Sequence, residues 1–161
     1  MKPHLLIAVT WLLIWPSAEG LAEDPKVKTL GFCELINNAR LHTGQVVRVR
    51  AIFAQGGEQS VLYDPDCGKD KPATAVEFGA CSKGATKRLD RLISKDRRAW
   101  VVVEGTFYGP EPAKIDPKLP DWLKRRLEGS PQKYGHLGAF DAILQINRVV
   151  SADKVSPEVP W

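Results

Sequence analysis

The sequence predicts a mostly β domain with some α: a five-stranded Greek-key barrel, with a helix between strands three and four and a short N-terminal helix. Three observations predict it. Period-two alternation of apolar residues recurs in short runs, most clearly over residues 46–54. Between the third and fourth of these runs, residues 82–95 switch to helical spacing. Gly105 falls inside the fourth run, where a bend or bulge helps a sheet coil closed.

The elements follow in order. Residues 23–31 read as a loose lead-in. Residues 34–41 place Leu35, Ile36, Ala39 and Leu41 at near-helical spacing, a short helix that ends near Gly44. In strand one, residues 46–54, Val47, Val49, Ala51 and Phe53 share one face and Arg48 and Arg50 the other. Gln55-Gly56-Gly57-Glu58 is a turn, and residues 59–64 form strand two. Pro65-Asp66-Cys67-Gly68 opens a polar loop running to Pro72. Strand three, residues 74–78, puts Thr74, Val76 and Phe78 on one face.

In the helix, Ala85, Leu89, Leu92 and Ile93 fall at i, i+4, i+7 and i+8. Lys83, Lys87, Arg88, Arg91 and Lys95 take its other face. Strand four covers residues 100–108. A long proline-containing excursion spans 109–138, in which Asp121 caps a short helix over 122–127 that Gly129 ends. Strand five covers 140–150, with Ala142, Leu144 and Ile146 facing one way. A polar, proline-broken tail starts at Ser151. A meander of three strands, a helix and two more strands is the order of the OB-like barrel, whose helix plugs one end. An α+β sandwich of the same elements is the alternative.

The N-terminus has the three parts of a signal peptide over residues 1–22. Lys2 supplies a basic start, residues 5–15 an apolar core and residues 16–22 mostly small side chains. The apolar run is roughly half a membrane span. Cleavage after Ala22 follows the small-x-small pattern, and cleavage after Gly20 is the alternative. The remainder, residues 23–161, is about 140 residues, enough for one domain with its own core. The expected location is outside the cytoplasm, periplasmic or secreted, with no membrane anchor after cleavage. The charge of +4 permits anionic partners without demanding them.

Five runs carry a resemblance. They are Cys33-Glu34-Leu35, Gly44-Gln45-Val46-Val47-Arg48-Val49, Leu62-Tyr63-Asp64-Pro65-Asp66-Cys67, Val103-Glu104-Gly105-Thr106-Phe107 and Tyr134-Gly135-His136-Leu137-Gly138. Together they resemble small exported bacterial proteins with an OB-like fold. The resemblance implies a bacterial source and a fold, and it carries no activity.

The three cysteines, Cys33, Cys67 and Cys81, permit one disulfide in an oxidising compartment. In the barrel, Cys67 and Cys81 follow strands two and three at opposite ends of a hairpin. That exceeds the roughly 7 Å a disulfide allows between Cα atoms. Cys33 precedes strand one, so the expected pair is Cys33–Cys67, with Cys81 left as a thiol.

No catalytic, metal or cofactor motif stands out, and no cofactor is implied. His42 and His136 do not make a zinc set. Asp64, Asp66 and Asp70 do not complete a calcium loop. The basic clusters Lys87-Arg88, Arg91, Lys95, Arg97-Arg98 and Lys124-Arg125-Arg126 read as solvated faces. Tyr63 is the one outward aromatic that the strand phases offer for base stacking, which weighs against nucleic acid. The expected function is therefore non-enzymatic binding of a small ligand, an envelope component or a protein. Trp122, Lys124, Arg125 and His136 in the long excursion form the expected surface. Nucleic-acid binding and an unrecognised enzyme are the alternatives.

Overall fold

The computed structural model describes residues 27–68, 73–79 and 83–160, with residues 83–85 described by backbone alone. The expected signal peptide, residues 1–22, and Cys81 lie outside the described residues. Ten elements follow in chain order: β1 (Thr29–Gly31), α1 (Phe32–Asn37), α2 (Ala39–His42), β2 (Gln45–Gln55), β3 (Ser60–Tyr63), β4 (Thr74–Phe78), α3 (Lys83–Asp96), β5 (Arg98–Tyr108), α4 (Asp121–Leu127) and β6 (Ile143–Asp153).

The sheet runs β1-β2-β3-β4-β6-β5, and β5 returns to pair with β2. Strands β2 to β6 thus close a five-stranded barrel, as the order of elements predicts. Its β4–β6 pair is parallel and its other pairs are antiparallel. β1 is an additional strand, parallel to β2.

Alternation fills the interior. Val47, Val49, Ala51 and Phe53 of β2 are buried, as are Val101, Val103 and Phe107 of β5. Leu62, Leu144 and Ile146 join them, and α3 adds Leu89 and Ile93. Each large apolar side chain so buried contributes about 2 kcal/mol. Thr74, Val76 and Phe78 take the inward phase of β4. Phe78 sits at the barrel's end with its ring centroid 5.8 Å from that of Phe53. Gly105 is the predicted irregularity: the β5–β6 register slips between Glu104 and Gly105. A Cβ there would collide with the Gln145 carbonyl, so closure at this point requires glycine.

Four details differ from the sequence reading. The lead-in ends in a strand, because Thr29–Gly31 finds an open edge of β2 beside Arg48–Arg50. The first helix breaks at Asn38, whose φ of −113° leaves the helical range, and Leu41 is exposed rather than packed. Asp121 is the first residue of α4 and not its cap. Its carboxylate pairs with Lys124 at 3.3 Å, and Pro120 occupies the cap position. Strand β6 starts at Ile143 and runs on through Asp153, since bulges re-phase it and bring Val149 and Ala152 inward.

Candidate binding groove

The alternation that sends Phe53 and Leu62 inward sends Ile52, Ala54, Val61 and Tyr63 outward, paired Ile52 with Tyr63 and Ala54 with Val61. Outward residues of a small barrel ordinarily meet water. Here Ile52 is 0% and Ala54 3% exposed. The C-terminal segment after β6 lies on this face. Val155 is buried, and the chain then arches back toward β3. Arg98 Nη1 donates to the carbonyls of Val159 at 2.8 Å and Pro160 at 3.3 Å. It also reaches the Tyr63 hydroxyl at 3.3 Å, and that hydroxyl donates to the Pro160 carbonyl at 3.4 Å.

Beside Pro160 lies a groove of about 510 Å³. Ala54, Val61 and Tyr63 form its floor, and Gly56 and Gln59 of the β2–β3 turn close one end. At the other end stand Asp64, Pro65 and Gly68. This second wall is a short 3-10 turn, Pro65–Cys67, capped by Asp64 accepting from the Asp66 N–H at 3.0 Å. The expected disulfide pins it: Cys33 and Cys67 are bonded, with Cα atoms 5.2 Å apart. β1 and β3 run toward each other along one edge of β2, ending at Arg50 and Ile52, so the residues just beyond them meet. Asp64 lies within 4.8 Å of both sulfurs, but those sulfurs are joined to each other, which leaves a cross-linked turn rather than a metal site.

The predicted surface divides into two places. Residues 109–138 form an arm. Its stem is a Pro112–Pro131 bridge flanked by bonds from the Ala113 N–H to the Ser130 carbonyl and from the Gln132 N–H to the Glu111 carbonyl. α4 lies between the two sides of this stem and buries none of its residues. Trp122 is 61% exposed, Lys124 pairs with its own neighbour Asp121, and Arg125 is exposed.

His136 sits beyond the stem, in a turn closed by the Tyr134–Phe140 bridge. Its Nε2 lies 2.9 Å from a Glu58 carboxylate oxygen, and its backbone N–H donates to Gln59 Oε1 at 2.9 Å. It thus sits against the β2–β3 turn beside the groove, not on the surface around Trp122. Tyr134 donates to Glu111 at 2.9 Å; burial first, then the Glu111 carboxylate, push its phenol up to about 12.

Sequence reasoning missed Arg98 and undervalued Val61 and Tyr63. Arg98 reads as one more member of a basic run, yet it is 9% exposed. Tyr63 is also not the sole outward aromatic. Trp100 shares the outward phase of β5, and the Arg50 guanidinium stands 4.4 Å from its ring centroid.

Among the described residues, no helix is long and apolar enough to cross a membrane. No family model matches the chain, and neither a curated protein nor a solved structure shows significant similarity to it.

Proposed function

We propose that this domain is an exported, non-enzymatic binding module of the OB type, which takes an apolar ligand in the groove over β2 and β3. One observation carries the reading. An apolar groove lies on an outward sheet face beside two side chains, Arg98 and Tyr63, that already hold main-chain carbonyls. Barrels of this order bind ligands on the outer sheet face between the first turn and the last long loop. Gln59 and His136 stand in those two segments here and touch each other. Export is supported by the three-part pattern of residues 1–22 together with a disulfide, which oxidising compartments favour.

An apolar fluorescent probe, anilinonaphthalene sulfonate, tests the groove. It binds the intact domain at one site, loses that site in Val61→Asp and keeps it in Trp122→Ala. Equal binding by both variants would reject the groove.

The His136–Glu58 contact favours a second reading, an acid–base pair in an enzyme. Both side chains are largely exposed, at 47% and 72%, and neither lines the groove. The contact serves better as a latch between the arm's base and the β2–β3 turn. Hydrolysis of ester or phosphate probes that disappears in His136→Ala would decide for the enzyme.

A further inference from the structure

We infer that the C-terminal segment, residues 155–160, is a built-in occupant of the Arg98–Tyr63 site, which is therefore a receptor for proline-containing peptide turns. The inference rests on the groove reading above and names its ligand class.

Arg98 lies on the outward face of the sheet yet is as buried as a core residue. A guanidinium out of water needs acceptors for its donors. Among those it has are two successive main-chain carbonyls, Val159 and Pro160, and the Tyr63 hydroxyl. Carbonyls are common to every peptide, so this recognition does not depend on the side chains of residues 159 and 160. The Val159 N–H is taken up within the segment's own turn by the Ser156 carbonyl, and Pro160 has no N–H, so the segment is held through its acceptors. Ser156-Pro157-Glu158-Val159 is a turn, its Val159 N–H donating to the Ser156 carbonyl at 3.1 Å, and Pro157 fixes φ at the turn's second position before binding, so a proline-bearing turn loses little freedom on docking.

The attachment is also built to release. Val155 is buried at one end and the carbonyl pair is held at the other, while Ser156, Pro157 and Glu158 between them are exposed. Two of the three contacts to Pro160 and Val159 are long, at 3.3 and 3.4 Å. A peptide from another chain that also fills the adjoining apolar groove can therefore displace the segment.

The test uses a fluorescent peptide with the sequence of residues 154–160 and three forms of the protein. These are the intact chain, a chain ending at Asp153, and a full-length chain with residues 156–160 replaced by glycine and serine. The third form keeps Val155 in place and guards against a folding defect in the second. The peptide binds the second and third forms at least tenfold more tightly than the intact chain. Adding Arg98→Met to the third form abolishes binding, and replacing the peptide's prolines by glycine weakens it severalfold. Equal affinity for all three forms overturns the inference, as does no binding to any. If the naphthalene probe still binds the groove in that case, the groove reading survives without this ligand class. Loss of both signals removes the two together.

Discussion

Ile52 and Ala54 point away from the barrel axis and are as buried as its core, whereas α4, also outside the barrel, has no fully buried residue. The two regions are held by different means. The groove is walled by a disulfide-pinned turn, and its edge is formed by a segment bonded to a buried arginine. The arm is held by a short stem and by the Tyr134–Glu111 and His136–Glu58 contacts near its base. The difference teaches that loop length and an exposed tryptophan mark a visible surface, while a built site is marked by outward residues that something covers.

The largest expected effect breaks the groove side. Cys33→Ser opens a cross-link between residues 34 apart in sequence. Loop-closure entropy for such a span corresponds to about 4 kcal/mol. Urea denaturation is expected to show a loss of that order, together with loss of the naphthalene probe's site, because the Pro65–Cys67 wall is no longer tied to α1. A loss below about 1 kcal/mol with full probe binding would show that β1 and β3 hold the wall without the bond.

Much of the barrel was legible because its signal is local. The strand phases of β2 and β5, the intervening helix and the bend at Gly105 each follow from a few adjacent residues. The disulfide followed from those strands, although the route by which Cys33 arrives depends on β1, a three-residue strand too short to show a period. The groove was not legible for a physical reason. Alternation assigns Ile52, Ala54, Val61 and Tyr63 to the outside, and nothing in a strand's own sequence tells whether a segment about 100 residues later will cover it. A separation of 61 and 62 residues likewise hides the role of Arg98, whose partners Val159 and Pro160 lie in a stretch that reads as a loose tail. The glycine-flanked turn around His136 is visible in the sequence. The histidine's partner Glu58 is nearly eighty residues away, so its placement beside the groove could not be read locally.

A second, smaller effect sharpens the arm side. Leu137 adopts φ 53°, the left-handed region that L residues with a Cβ disfavour, and its side chain is 92% exposed. Leu137→Gly is expected to stabilise the domain by about 1 kcal/mol, read as a higher urea midpoint. The naphthalene probe should bind the variant as before, since Leu137 does not line the groove. A lower midpoint would mean that this leucine makes contacts that outweigh its backbone strain.

The last effect is visible only at high pH. Tyr134 normally titrates at 10.0, and burial with the Glu111 bond moves it to about 12, so the folded arm favours the neutral phenol. Folding therefore holds a proton that the unfolded chain releases first. The contribution is fully present below pH 10 and is lost as pH rises from 10 through 12. Tyr134→Phe removes that group, so its stability difference from the parent is constant below pH 10 and shrinks above it. Urea midpoints measured from neutral to strongly alkaline pH for both proteins read this directly, and phenolate absorbance locates the titration itself. A difference that stays constant through pH 12 would mean that Glu111 does not hold the phenol. The stem would then have to position the arm's base without that bond, in sharper contrast to the cross-linked wall of the groove.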